Sequence, residues 1–91
     1  MPKKYKVSGK INIFQMDSPW RYILIPQNKV PNVRPGGWGS IPIIVTIGQT
    51  TWKTSLFPMK GGQYFLPIKK QVLNQENLKV GDTVQTTYAL Q

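Results

Sequence analysis

Polar and apolar residues alternate along much of this chain, and the alternation defines its elements. From Lys3 onward, Tyr5, Val7, Ile11 and Ile13 are apolar while Lys4, Lys6, Ser8, Lys10 and Asn12 are polar. A period of two sustained over about ten residues predicts a long, half-buried strand. Gly9 interrupts the apolar face, which predicts a bulge or a bend at a barrel corner, and the lysines on the other face discourage edge-to-edge pairing. After the turn residues Asp17-Ser18-Pro19, the segment from Trp20 to Pro26 predicts a second strand, with Trp20, Tyr22 and Leu24 on one face and Arg21, Ile23 and Ile25 on the other. Both faces are largely apolar. Such a strand is either covered on both sides or lends one face to a partner, which in a short chain predicts a homodimer.

The segment from Gln27 to Ser40 breaks the pattern with Pro31, Pro35, Gly36, Gly37 and Gly39, and predicts a long loop. Ile41 to Ile47 and Thr50 to Phe57 then read as a hairpin about a Gly48-Gln49 turn. The last thirty residues, Gly61 to Leu90, form the unit around which the rest is predicted to close. Tyr64, Leu66 and Ile68 alternate with Phe65 and Pro67 as a strand. Pro67 has no amide hydrogen to donate, so that end of the strand is predicted to be an edge. Lys69 to Glu76 reads as a two-turn helix whose Val72 and Leu73, with Leu78 just beyond, cap one end of the barrel. Val80-Gly81-Asp82 supplies a turn in which Asp82 accepts backbone N–H groups, and Val84, Thr86, Tyr88 and Leu90 mark a closing strand. Tyr64 or Phe65, with Leu66, Ile68, Val72, Val84 and Tyr88, is expected to point inward. The predicted fold is mostly β: a small closed barrel of about six strands with one short helix between the last two.

The ordered segments WRYILIP at 20–26, GWGSIPIIVTIGQTTWKTSLFP at 37–58, GGQYFLPIK at 61–69 and VGDTV at 80–84 together resemble a bacterial and archaeal family, domain of unknown function 1905. The resemblance spans roughly residues 4 to 90 and implies a small β-barrel with no established activity. Many members carry a basic pair where this chain has Leu73-Asn74. The unit from Gly61 to Leu90 is also similar to the half-barrel of swapped-hairpin transcription factors, in which LPI, a short helix and a GD turn follow one another.

Composition narrows the function by exclusion. The 91 residues predict one domain spanning 1–91, and ten aromatic residues supply its core, while eight Gly and eight Pro punctuate short elements. With no Cys and no His, disulfide staples, thiol nucleophiles, the usual general base and the usual zinc ligands are missing. The three carboxylates, Asp17, Glu76 and Asp82, are dispersed. The chain is therefore predicted not to be an enzyme and to use no metal or cofactor. Neither a secretory leader nor a membrane span is evident, so no membrane partner and a cytoplasmic location are expected.

Twelve basic residues against three acidic ones leave a net charge of +9, which favours polyanionic partners. Lys3, Lys4, Lys6, Lys69 and Lys70 are the candidate phosphate contacts. Lys69 and Lys70 carry the wrong sign for stabilising a helix start, so they are better read as contacts. In the long loop, Arg34 and the glycines beside Trp38 form a candidate rim, with Trp38 the aromatic to stack on a base. The alternative is that these glycines allow a tight entry into the next strand and Trp38 plugs the barrel. GGWGS matches neither the P-loop nor the dinucleotide fingerprint. The reading is an uncharacterised binding module associated with nucleic acid through a basic surface. Its rival is a protein-interaction or small-ligand barrel whose charge is incidental.

Overall fold

The computed structural model describes residues 4–14, 20–31 and 39–91, and at Lys60 the backbone alone. The Asp17-Ser18-Pro19 turn and residues 32–38 of the glycine-rich loop lie outside the described residues. The alternating pattern becomes strands β1 (Lys4–Ile13), β2 (Arg21–Ile25), β3 (Ile41–Ile47), β4 (Thr50–Pro58) and β5 (Tyr64–Ile68), then helix α1 (Lys70–Gln75), then strand β6 (Thr83–Leu90). On β1, Val7 and Ile11 are buried while Lys4, Lys6 and Lys10 are exposed. On β2, Ile23 and Ile25 turn inward and Leu24 outward.

Six strands close into a barrel in the order β1-β2-β5-β4-β3-β6, with the helix between the last two in sequence. All six come from one chain, so closure needs no exchanged hairpin. Every neighbouring pair is antiparallel. Two strands change partners along their length. β1 pairs with β6 from Lys4 to Lys10 and with β2 from Ile11 to Ile13. β4 pairs with β3 from Thr50 to Leu56 and with β5 at Phe57 and Pro58. The first half of β1 is thus an edge of its sheet, and the exposed lysine row lies there, where it guards the open side.

Gly9 lies inside the β1–β6 ladder, paired with Val84 in unbroken register, and β1 changes partners after Lys10. A Cβ at this position would stand 2.4 Å from Ile23 Cγ2, and Ile23 is fully buried. The absent side chain is what lets Ile23 of β2 pack against β1 here.

The strand pair β1–β2 and the hairpin β3–β4 do not touch as ladders. β5 lies between β2 and β4, and β6 lies between β1 and β3, so the unit from Gly61 to Leu90 joins the two halves. Leu66, Ile68, Val72, Val84 and Tyr88 from that unit are buried, as the alternation predicts. Tyr64 packs against the core, whereas Phe65 faces outward and joins a ring cluster there. Burying each such aliphatic side chain contributes roughly 1.5 to 3 kcal/mol, so the unit supplies a large share of the core.

Helix α1 is tied down by its buried Val72 and Leu73 and by the residue that follows it. The Thr50 hydroxyl donates to Glu76 Oε2 at 2.6 Å. Gly48, with φ +60°, leaves room for that carboxylate, since a Cβ there would fall 1.9 Å from Glu76 Oε1. Asp82 acts within its own turn: the Lys79 amide donates to Asp82 Oδ2 at 3.0 Å. The turn docks on β1 through Gly81 N–H to the Ile11 carbonyl (2.8 Å) and Ile11 N–H to the Asp82 carbonyl (2.9 Å). Tyr88 stacks on Tyr5 with ring centroids 5.4 Å apart, and its hydroxyl donates to the Lys29 carbonyl. Burial, and secondarily the neighbouring Tyr5, push the Tyr88 phenol above its ordinary value of about 10. Among the described residues, no helix is long and apolar enough to cross a membrane.

Two outcomes follow from this packing. Gly9→Ala should lower stability by about 1 to 3 kcal/mol through overpacking. In an Ile23→Ala background the same change should cost less, a coupling that chemical denaturation of the four variants measures. Tyr88→Phe should cost about 1 kcal/mol at neutral pH by leaving the Lys29 carbonyl without its donor. The raised phenol also has a pH signature. Below about pH 10 its contribution is fully present; above that, the unfolded phenol ionises while the folded one stays protonated, so stability falls. Denaturation midpoints from pH 8 to 11 should therefore decline less steeply for Tyr88→Phe than for the parent.

Candidate functional site

Because Ile23, Leu56 and Leu66 point into the barrel, their neighbours Tyr22, Phe57 and Phe65 must point out, and the order β2-β5-β4 sets these three side by side. Phe14 and Trp20 complete the group from the two ends of the β1–β2 connection, where Phe14 N–H donates to the Trp20 carbonyl at 2.9 Å. Phe65 is the hub. Its ring meets Phe14 edge-on at 5.2 Å, Tyr22 at 5.8 Å, Trp20 at 6.4 Å and Phe57, tilted, at 5.5 Å. Phe14 and Tyr22 stack at 4.1 Å. The cluster takes in Trp20 and Tyr22 from the second apolar face of β2, the face on which the expected homodimer rested. Trp20 remains 47% exposed at its margin and Leu24 37%.

Beside the rings the wall of the barrel opens. The β4–β5 ladder consists of Phe57 with Phe65 and Pro58 with Tyr64. Beyond Phe65 the next residues of β5 lead to Pro67, which has no amide hydrogen to extend it. This fits the predicted edge. A cleft of about 400 Å³ occupies the gap, with Thr54 and Phe57 on the β4 side, Pro67 and Ile68 on the β5 side, and Trp20 at one margin. Its remaining lining is basic: Arg21, Lys69 and Lys70. Lys69 and Lys70 are exposed and Arg21 is half-buried. Among the described residues no carboxylate lines the cleft; Glu76 is engaged by Thr50, and Asp82 by the Lys79 amide.

The candidate residues from the sequence therefore separate. Lys69 and Lys70 come together with an exposed tryptophan, but it is Trp20. Lys4 and Lys6 sit on β1 opposite Ala89 and Thr87 of β6, and neither lines this cleft. Lys3, Arg34 and Trp38 lie outside the described residues. Trp20, Arg21, Phe57 and Phe65 were not singled out by sequence reasoning, although the two-faced apolar character of β2 already pointed at this wall. Among the described residues, no three acidic, His or Cys side chains gather where a metal ion would be held.

The pattern of the whole chain now has a family attached to it. The family model described as "Domain of unknown function (DUF1905)" matches residues 4–87. The chain belongs to that family. The match runs through the first strand, the ring cluster, both sides of the cleft and most of β6, so the site described above lies within the family domain. No curated protein matches this family member in sequence.

Proposed function

We propose that this DUF1905 domain is a binding module for single-stranded nucleic acid, held on the outer wall formed by β2, β5 and β4. The observation that carries the reading is the juxtaposition of an exposed Trp20, backed by the Phe57 and Phe65 rings, with Arg21, Lys69 and Lys70 around one cleft. Rings offer stacking to unpaired bases without regard to sequence, and the cations attract the backbone that links them. A net charge of +9 adds long-range attraction for any polyanion. Cytoplasmic nucleic acid would be the natural source of such a strand.

Two competing uses of the wall predict different behaviour. An isologous homodimer through the rings would bring the flanking Arg21, Lys69 and Lys70 of both copies toward one another, a like-charge cost that a polyanion turns into attraction. A protein partner or a neutral ligand would bind through apolar contact and show little dependence on salt.

Fluorescence anisotropy with labelled single- and double-stranded oligonucleotides, titrated between low and physiological salt, separates these readings. Single strands should bind more tightly than duplex. Trp20→Ala should weaken binding by about 1 to 3 kcal/mol and leave the slope of log affinity against log salt unchanged, whereas Lys69→Gln should flatten that slope by about one. Binding that vanishes at physiological salt, without preference for strand type and no tighter than for another protein of equal charge, would leave the positive charge with no role beyond solubility.

A further inference from the structure

On the wall formed by β2, β5 and β4, the β4–β5 cleft offers a ligand a recess. The geometry points to this cleft as a pocket for one nucleotide unit, its base against Trp20 and over Pro67 and Ile68, its phosphate at the rim formed by Arg21, Lys69 and Lys70. The inference rests on the nucleic-acid reading and names where and how one unit of the strand is held.

Size comes first. A cleft of about 400 Å³ is in the range of small-molecule sites, roughly 300 to 1,000 Å³. That admits one nucleoside and not a duplex. The chemistry of the lining comes next. Trp20, Phe57, Pro67 and Ile68 are apolar surfaces that suit the face of a base, and the Thr54 hydroxyl and the Trp20 indole N–H are the neutral polar side-chain groups set among them. Trp20 and Phe57 meet edge to face, with an interplanar angle of 65° and centroids 6.2 Å apart, so a base is not sandwiched between them. It stacks on the free side of Trp20, which is 47% exposed. Charge decides the rest. Among the described residues three cations and no carboxylate line the cleft, which favours an anion attached to the planar body over a cationic one.

The structure of the wall also explains why the pocket is there. β4 has β3 as its partner up to Leu56 and meets β5 only at Phe57 and Pro58. Pro67 keeps the two strands from zipping further, and the turn into α1 immediately afterwards delivers Lys69 and Lys70 to the mouth.

The test uses the full chain, with ¹⁵N-resolved NMR spectra recorded during titration with adenosine monophosphate and, separately, inorganic phosphate, alongside oligonucleotide anisotropy. Adenosine monophosphate should shift the amide signals of Thr54, Ile68, Lys69 and Lys70 and the Trp20 indole signal, while phosphate alone should shift only the signals of Lys69 and Lys70. Thr54→Phe, which fills the cleft from the β4 side, should weaken the mononucleotide by about tenfold or more and the single strand severalfold. Thermal melts of Thr54→Phe check that it remains folded. If Thr54→Phe proves unfolded, Lys69→Gln with Lys70→Gln takes its place, and unchanged mononucleotide affinity at low salt would overturn the pocket. A single strand that binds equally well to parent and Thr54→Phe, without shifts at Thr54 and Ile68, would also overturn it while leaving the nucleic-acid reading intact. Mononucleotide binding at these residues without oligonucleotide binding would do the reverse, sustaining the pocket as a small-anion site and removing the strand.

Discussion

The ladders β1–β2 and β3–β4 meet nowhere; β5 and β6 hold them together by each pairing with one strand from either side. Everything else in the barrel depends on that double bridge. Without β5, the hydrogen-bonding edges of β2 and β4 open to water, and without β6 those of β1 and β3 do the same. The interior follows the same rule, because Leu66 and Ile68 from β5 and Val84 and Tyr88 from β6 fill it from opposite walls between Ile11, Ile23, Ile43 and Leu56. Since two-stranded ribbons are marginal on their own, the two halves gain stability only through the strands that join them.

The same bridge produces the site. β5 is short, and its pairing is lopsided: β2 matches all five of its residues from Tyr64 to Ile68, whereas β4 matches Phe65 and Tyr64 alone. The unmatched side becomes a cleft, and the rings that point outward from β2, β4 and β5 collect at its margin. Helix α1 has to leave β5 at this end in order to return the chain to β6. Its first residues thereby carry Lys69 and Lys70 to the rim, a place that capping of the helix does not explain. The cleft and the closure of the barrel thus share one short strand, and Pro67 bears on both by ending a ladder without ending the chain's course.

How far the sequence can be read into this structure varies by level. The strand faces were legible, because a period of two assigns inward and outward residues without knowledge of neighbours: Val7 and Ile11, Leu66 and Ile68, Val84 and Tyr88 are buried as expected. Asp82 in its turn was legible for local reasons too, whereas the bulge or bend expected at Gly9 does not interrupt the β1–β6 register. Strand order was not, since alternation says which way a residue points and nothing about the strand beside it. That gap is why Phe65 had no assigned side, and why Trp20 and Phe57, thirty-seven residues apart in sequence, went unrecognised as neighbours across a wall. Lys69 and Lys70 drew attention because their sign is wrong for a helix start, and they line the cleft. Trp38 drew attention through its glycine neighbours, a local cue that carries no information about which cations lie near it.

Native-state hydrogen exchange in increasing denaturant measures the bridging role most directly. If β5 and β6 hold the two halves together, the protected amides of β1–β2, β3–β4, β5 and β6 should converge on one opening free energy and be lost as a single unit. Persistent protection of the β3–β4 amides under conditions in which those of β5 and β6 have already exchanged would contradict it, because the hairpin would then stand without the strands on which this account makes it depend.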